Sequence, residues 1–150
     1  ALNKVEMIIP LAALVGAPLC KQDPINAQST NFDAIKLIVD NTSKDQKIIF
    51  PTTNSGYGIS KNDDLCTEDS PLNPISLYGK SKCEAEDLIL QSGNGITFRL
   101  ATVFGMSPQM RLDLTVNDFV YRAMFDSALI IFEGSFRRNS GLFKNVISIL

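Results

Sequence analysis

The sequence contains no histidine, and only three of its 150 residues are cysteine. Without histidine the chain cannot form a Ser-His-Asp or Cys-His relay, nor a zinc site with histidine ligands. The cysteines Cys20, Cys66 and Cys83 are odd in number and include no C-x-x-C pair. This favours reduced thiols in a cytoplasmic protein, and we expect no metal site.

The chain also lacks an excess of positive charge and a long hydrophobic run. With 14 basic and 16 acidic residues its net charge is -2, so we expect no nucleic-acid partner. Residues 7–20 carry no charge, but this run is too short to span a bilayer. We reject a secretory signal because Lys4 and Glu6 cancel, Pro10 and Pro18 interrupt any helix, and residues 5–9 resemble a buried strand. We therefore expect no membrane partner.

The remaining composition, 45% apolar and 20% charged, is that of a globular domain with a real core. Strand and helix patterns alternate as βαβαβ. The predicted elements are a strand Val5–Pro10, a helix Asn26–Ser43, a strand Lys47–Pro51, a helix Ser76–Gln91 and a strand Thr97–Leu100. Strands separated by helices run parallel with right-handed crossovers, so we expect an α/β fold with a doubly wound parallel sheet.

The pattern changes after Gly105, where we place a boundary between residues 1–105 and a subdomain 106–150. The second part is expected to contain a loop at 106–111, an amphipathic helix at Leu114–Phe125 and a short strand at Leu129–Phe132.

Three residues could form an acid/base site. Tyr78 and Lys82 stand four apart, so on a helix they share one face and the ammonium can stabilise a tyrosinate. Thr53 ends a buried strand and would lie at the carboxyl edge where the tyrosine helix begins. A hydroxyl donor beside a tyrosine base suits an alcohol that is being oxidised. The alternative for Tyr78 and Lys82 alone is a solvated helix face.

Asn31 interrupts an otherwise apolar helix face formed by Ala27, Ala34, Ile35 and Ile38. A buried amide needs hydrogen-bond partners, so Asn31 is either part of a site or a structural amide that holds a neighbouring backbone. Four other polar residues could hold phosphates, although isolated arginines are usually surface residues. They are Arg111, Asn117, Arg137 and Arg138.

No dinucleotide fingerprint is present. Gly56-Tyr57-Gly58 follows a strand but opens a polar loop, and Gly93-Asn94-Gly95 precedes a strand instead of following one.

Several segments resemble the extended short-chain dehydrogenase/reductases, in particular the NAD-dependent nucleotide-sugar epimerase/dehydratase family. Residues 8–13 are similar to the fourth strand and its H-L-A-A turn, and Asn31 falls at the central-helix asparagine. Residues 50–58 resemble the S-S-x-x-V-Y-G segment, and residues 74–82 are very similar to P-x-S-x-Y-G-x-S-K. Residues 98–105 resemble x-R-x-x-N-V-Y-G-P.

The resemblance implies a Rossmann-like sheet and a set of roles. Tyr78 would remove a sugar hydroxyl proton while hydride passes to NAD, Lys82 would lower the tyrosine pKa and hold the nicotinamide ribose, and Thr53 would bond the reacting oxygen. The implied cofactor-binding residues are Leu11, Ala12, Ala13, Asn31, Thr52, Tyr78, Lys82, Leu100 and Val103. The implied substrate-binding residues are Thr53, Asn54, Thr102, Asn117 and Arg138.

The family's dehydratases and decarboxylases resemble one another in an acidic residue just after the catalytic hydroxyl. Here those positions are Asn54 and Ser55, which do not titrate usefully, so we expect a UDP-sugar 4-epimerase-like or a reductase-like reaction. NADP is not excluded as the cofactor. The family also implies a homodimer through the helices Asn26–Ser43 and Ser76–Gln91.

The family's opening strand and G-x-x-G-x-x-G loop have no counterpart in the sequence, and Ser140–Leu150 matches nothing in the family. We therefore expect an internal segment: the second half of the cofactor domain and the start of the substrate domain, with weak or no NAD binding of its own. Two alternatives stay open. One is an NAD(P)H-dependent reductase of the same superfamily that acts on a non-sugar carbonyl, and the other is a non-catalytic relic that dimerises.

Overall fold

The computed structural model describes residues 2–59, 66–131 and 140–142 of the chain. The chain divides into two compact units, Ala1–Arg99 and Leu100–Leu150. The assignment of residues 1–105 to a cofactor domain and 106–150 to a substrate subdomain stays a prediction.

The first unit is organised around a three-stranded sheet. Its strands are β1 (Met7–Ile8), β2 (Lys47–Thr53) and β3 (Gly95–Leu100), in the order β1-β2-β3. Strand β1 is parallel to β2 with Ile8 opposite Ile48. The three strands form a parallel sheet, which confirms the predicted α/β class.

A segmented helical stretch connects β1 to β2. It consists of α1 (Ala17–Gln22), α2 (Pro24–Gln28), a π-helical turn (Ser29–Asp33) and α3 (Ala34–Asp40). The prediction of one helix over residues 26–43 does not include α1, because a proline such as Pro18 interrupts a helix when it lies in the interior. In fact Pro18 lies in the first turn of α1, where its missing N–H has no helical partner to lose.

The π turn changes which side chains share a face. A π turn accommodates an extra residue, so positions spaced by four stay aligned. Ala27, Asn31 and Ile35 are accordingly all buried, whereas Ala34, which was expected on the same face, is exposed.

Helix α4 (Leu77–Ser92) crosses from β2 to β3 and carries most of the candidate chemistry. The side chain of Ser76 accepts a hydrogen bond from the N–H of Gly79 at 3.0 Å and caps the helix start. Gly93 ends it in the left-handed conformation, with φ of 76°. One face of α4 packs into the core, which is formed by Ile35, Ile48, Phe50, Ala85 and Ile89.

The two faces of the sheet are unequally buried. The face that packs on α3 and α4 contains Ile48 and Phe50, each 1% exposed, and we call it the covered face. On the opposite face, called here the open face, Met7 and Ile96 are 51% and 55% exposed, and Phe98 is also exposed. Alternation along each strand separates the two sets.

The second unit contains β4 (Thr102–Phe104) parallel to β5 (Ser140–Leu142), and the helix α5 (Thr115–Phe125). The predicted strand Leu129–Phe132 is wrong where it can be compared, since residues 129–131 form no strand, and Phe132 lies outside the described residues. Ile130 and Ile131 are largely exposed, so their β-branched side chains lack the packed neighbours that make such residues favour strands. Among the described residues, no helix is both long enough and apolar enough to cross a membrane.

Candidate active site

Thr53 is the last residue of β2 and is buried. Its hydroxyl oxygen accepts a hydrogen bond from the backbone N–H of Ser55 and donates one to the Ser55 hydroxyl, both at 3.1 Å. These bonds start the 3₁₀ turn Asn54–Tyr57 that leaves the sheet. Thr53 therefore lies at the carboxyl end of a buried parallel strand, where such folds place their sites.

Tyr78 lies in the first turn of α4 and is half-buried. Two glycines let this end of the helix approach the turn after Thr53. A Cβ on Gly79 would lie 3.1 Å from Pro74 Cβ and 3.2 Å from the Ser55 carbonyl oxygen, and one on Gly56 would lie 2.7 Å from Cys83 Sγ. Neither position has room for a larger residue without a shift, so the two glycines bring the start of α4 against the segment that follows Thr53.

Lys82 lies one helical turn after Tyr78, with only 5% of its surface exposed. Its Nζ donates a hydrogen bond to the Pro51 carbonyl at 2.9 Å and lies 3.8 Å from the ring centroid of Phe50. Burial lowers the pKa of Lys82 to about 8, against an opposing effect of the Glu86 carboxylate. Near neutral pH Lys82 is thus a buried cation of unusually high energy, able to stabilise a phenolate beside it.

Behind Lys82 lies a group of residues that the sequence did not single out together, called here the Glu86 cluster and formed by Glu86, Arg99 and Tyr57. Arg99 Nε donates to Glu86 Oε1 at 2.7 Å. The same guanidinium donates to the Tyr57 hydroxyl at 3.1 Å and to the Glu68 carbonyl at 3.0 Å. Glu86 itself is 1% exposed. A sequence signal for it did exist, because an acidic residue lies between the core positions Ala85 and Ile89.

The register of β2 and β3 places Thr52 next to this cluster. The N–H of Ile48 donates to the Asn94 carbonyl, which sets Ile48 opposite Gly95 and Thr52 opposite Arg99. Within the described part of the chain, two buried side-chain oxygens have no hydrogen-bond partner, Thr52 Oγ1 and Glu86 Oε2. The predicted contact of Thr52 with a cofactor stays a prediction.

Asn31 holds the chain just beyond the predicted cofactor turn. Its Oδ1 accepts from the Leu14 N–H at 2.8 Å, and its Nδ2 donates to the Leu14 carbonyl at 3.0 Å. These bonds are those of a structural amide, and the predicted contact of Asn31 with a cofactor stays a prediction. The amide fixes the backbone after Leu11, Ala12 and Ala13, of which the first two are exposed.

The other predicted contact residues belong to the end of β3 and to the second unit. Leu100 ends β3, and Thr102 and Val103 lie in β4 of the second unit. In that unit Asn117 accepts from the Gly105 N–H at 3.1 Å and donates to the Arg111 carbonyl at 3.0 Å, so its amide closes the loop between them. Arg137 and Arg138 lie outside the described residues. In the part of the chain that is described, no group of three or more Cys, Asp or Glu side chains could hold a metal ion.

The model of the RmlD substrate binding domain family matches residues 2–123. The chain belongs to the RmlD substrate binding domain family. This membership confirms the predicted resemblance to the extended short-chain dehydrogenase/reductases.

Solved structures similar to this RmlD-family chain show the same fold. UDP-glucuronic acid 4-epimerase from Bacillus cereus, in complex with UDP-glucuronic acid and NAD, is 24% identical with a TM-score of 0.80, and the match covers 97% of this chain and 48% of that one. An NAD-dependent NDP-hexosamine 5,6-dehydratase involved in tunicamycin biosynthesis is 22% identical with a TM-score of 0.81, covering 98% and 50%. RMD from Pseudomonas aeruginosa, complexed with NADPH, is 18% identical with a TM-score of 0.78, covering 95% and 53%. The chain therefore spans about half the length of these proteins.

Proposed function

We propose that this chain supplies the proton-transfer residues of an NAD-dependent enzyme that acts on a nucleotide sugar, by a UDP-sugar 4-epimerase-like reaction. The observation that carries the proposal is the position of Lys82, a buried cation one turn below Tyr78 on a helix whose start packs against the turn after Thr53. Similar solved structures hold UDP-glucuronic acid, UDP-glucose and NAD, which supports this choice of ligands.

The residues at the carboxyl end of the sheet fit the nicotinamide end of such a cofactor. Tyr78 is accessible, the ammonium of Lys82 has donors beyond its one bond to Pro51, and the backbone after Leu11 and Ala12 is fixed by Asn31. When bound, NAD supplies the acceptor for a hydride from the sugar carbon and returns it in the second half of the reaction.

Three side chains of the chain itself move and stabilise the proton. The Tyr78 phenolate accepts the proton of the sugar C4 hydroxyl, and Lys82 stabilises that phenolate before the transfer. The Thr53 hydroxyl, held by the N–H of Ser55, turns its own hydrogen bond from the Ser55 hydroxyl to the reacting oxygen while that oxygen changes from alcohol to carbonyl. Tyr78 then returns its proton to the carbonyl oxygen, and the epimer would form if the hydride came back to the opposite face of the sugar carbon.

The residues after Thr53 favour epimerisation over elimination. Asn54 and Ser55 have no carboxylate to protonate a leaving hydroxyl, and Ser55 is already bonded to Thr53. A reductase of the same superfamily is the second candidate, supported by the NADPH bound to the Pseudomonas aeruginosa neighbour.

A homodimer through the helices of residues 26–43 and 76–91 belongs to the proposal. Leu37 of α3 and Leu90 of α4 are 65% and 48% exposed, an apolar surface that a partner copy would cover. A cytoplasmic location likewise stays a prediction.

The deciding experiment replaces Tyr78 by Phe in the natural full-length polypeptide and measures UDP-sugar interconversion with added NAD. We expect turnover to fall at least about 100-fold, because the general acid/base is removed while the ring packing is kept. Circular dichroism and the melting temperature should not change. Tyr121→Phe, at an exposed tyrosine of α5, is the matched control and should retain activity.

Absorbance at the reduced-nicotinamide band separates the two candidates. An epimerase regenerates its cofactor and gives no net change, whereas a reductase consumes one NAD(P)H for each product. Full activity of Tyr78→Phe, or absence of turnover of every nucleotide sugar with either cofactor, would contradict the proposal.

A further inference from the structure

Glu86 is a buried carboxylate for which the proposed reaction has no direct use. It lies one helical turn after Lys82 on the face of α4 that packs against the sheet, as Lys82 lies one turn after Tyr78. Only one of its oxygens is bonded, to Arg99 at 2.7 Å, and among the described residues Oε2 has no partner. A carboxylate this deeply buried is costly unless a charged neighbour compensates it.

Arg99 connects this carboxylate to the turn that follows Thr53. Its guanidinium reaches from β3 both to Glu86 on α4 and to the Tyr57 hydroxyl on the 3₁₀ turn. The Glu86 cluster thereby joins the three elements that surround the candidate site: the helix of Tyr78 and Lys82, the turn after Thr53, and β3.

The charge balance of this region explains why a carboxylate belongs there. Lys82 and Arg99 are cations and Glu86 is an anion, which leaves one net positive charge when Tyr78 is neutral. Ionisation of Tyr78 brings the sum to zero. Without Glu86 no buried anion among the described residues would balance the charges of Lys82 and Arg99, and the one of the two that can lose its proton is Lys82.

We propose that Glu86 is a positioning residue for the proposed reaction: its carboxylate, anchored by Arg99, keeps Lys82 protonated and in place beneath Tyr78. The activity part of this inference rests on the proposed function, but the link between Glu86 and Lys82 does not. Two effects on pKa agree with it, since Glu86 opposes the lowering by burial at Lys82 and adds to the raising by burial at Cys83.

Other ionisable groups around Lys82 are less able to play this part. Tyr78, Tyr57 and Cys83 are neutral in their protonated forms, and Arg99 is a cation. On the loop before α4, Glu68 and Asp69 are exposed. The helical stretch that packs on α4 contributes the buried thiol of Cys20 and the following charged residues, which are exposed or half-exposed: Lys21, Asp23, Asp33, Lys36 and Asp40.

The test replaces Glu86 by Gln, which keeps the shape of the side chain and its acceptor for Arg99 but removes the charge. The titration of Lys82 is followed in the full chain by NMR of lysines labelled at Cε, with Lys82→Arg to assign the signal. We expect the Lys82 pKa to fall by about one unit in Glu86→Gln. Glu84→Gln is the control, because it removes the same charge from an exposed position of the same helix, and it should leave the Lys82 titration unchanged.

The kinetic readout is the pH profile of kcat in the full-length enzyme. Glu86→Gln should shift the alkaline limb to lower pH by the same amount as the fall in the Lys82 pKa. We expect kcat to be several-fold lower above neutral pH and little changed at acid pH, with a nearly constant KM. Glu86→Asp keeps the charge and should restore most of the alkaline limb, which a purely structural loss would not predict.

The outcomes separate the two proposals. An unchanged Lys82 titration in Glu86→Gln, or an equal shift in Glu84→Gln, overturns the inference whatever the activity is. A shifted titration supports it even if the wild-type enzyme turns over no nucleotide sugar, a result that would instead contradict the proposed function. If Glu86→Gln does not fold, Glu86→Met removes the same charge without leaving a buried polar group at that position, and an unchanged Lys82 titration in it overturns the inference.

Discussion

The covered and open faces of the sheet are built from the same three strands, yet they differ in chemistry. The covered face combines the apolar core of Ile48 and Phe50 with Thr52 and Arg99, and it meets Lys82 and Glu86 from α4. The open face is apolar and exposed at Met7, Ile96 and Phe98. The charges of Lys82, Glu86 and Arg99 thus lie at the covered face, where burial strengthens their interactions, whereas Met7, Ile96 and Phe98 are apolar side chains in contact with water.

The difference teaches that the candidate site depends on packing rather than on surface chemistry. Lys82 has a lowered pKa because it is buried, and the Glu86 carboxylate, which is also buried, lies 2.7 Å from Arg99 Nε. The same side chains on the open face would have ordinary titration and weak pairing. Three substitutions break or sharpen this comparison.

The largest effect is expected for Arg99→Met on the covered face. It leaves the Glu86 carboxylate buried without its cation, and breaking such a pair lowers the free energy of unfolding by about 3–5 kcal/mol. Urea unfolding at pH 7 measures this loss. Arg122→Met is the control, since Arg122 pairs with Asp118 at an exposed site and should cost less than about 1 kcal/mol. Equal losses in the two variants would show that the covered face gives the pair no special weight.

Lys82→Met is expected to raise the free energy of unfolding, by less than Arg99→Met lowers it. In the folded chain the pKa of Lys82 is lowered to about 8 from 10.5, so below pH 8 the buried charge opposes folding. The variant should be more stable than wild type by about 1–2 kcal/mol at pH 7, after the loss of the contacts with Phe50 and Pro51 is subtracted from the gain.

The pH dependence of this difference gives the sign check. Between about pH 8 and 10.5 the unfolded wild type binds more protons than the folded form, so wild-type stability should rise with pH and the advantage of Lys82→Met should shrink. Chemical unfolding at several pH values measures it. Lys80→Met, at an exposed position of α4, is the control. A Lys82→Met variant that is less stable at every pH would mean that the buried ammonium is stabilising.

The smallest effect is expected for Ile96→Thr on the open face. Ile96 is 55% exposed and threonine keeps the β-branch, so the free energy of unfolding should change by less than about 0.5 kcal/mol. The matched change on the covered face, Ile48→Thr, buries a hydroxyl and opens space in the core, so it should cost at least about 2 kcal/mol. Urea midpoints of the two variants test this directly, and similar midpoints would mean that the two faces are equivalent in solution.

Much of the covered face could be predicted from sequence because its signals are local. The apolar run of β2 and the spacing of Tyr78 and Lys82 are each contained within a few consecutive residues. The predicted helix over residues 76–91 accordingly differs by one residue at each end from α4, which spans Leu77–Ser92. The roles of Thr53, Tyr78 and Lys82 stay predictions.

The Glu86 cluster could not be assembled in the same way. Arg99 and Glu86 are 13 residues apart in sequence, and they pair only when β3 and α4 are packed together. The sequence does not predict α1 because proline, which breaks a helix in its interior, is tolerated in the first turn. It does not predict the π turn because the pattern assumes α-helical spacing throughout residues 26–43. Ile130 and Ile131 have a local preference for strands, but they form none because their exposed side chains have no packed neighbours.

The three thiols of the chain differ in their access to solvent, so their rates of reaction with a thiol reagent can measure local unfolding. Cys66 is exposed and should react with a maleimide at once, whereas Cys20 and Cys83 are buried, and burial raises the pKa of both thiols. Cys83 fills the space that the missing side chain of Gly56 leaves, so it can be reached only when α4 separates from the turn after Thr53. The alkylation rate of Cys83 therefore measures local unfolding of the candidate site. That of Cys20 measures local unfolding of the segment in which Asn31 is hydrogen-bonded to Leu14.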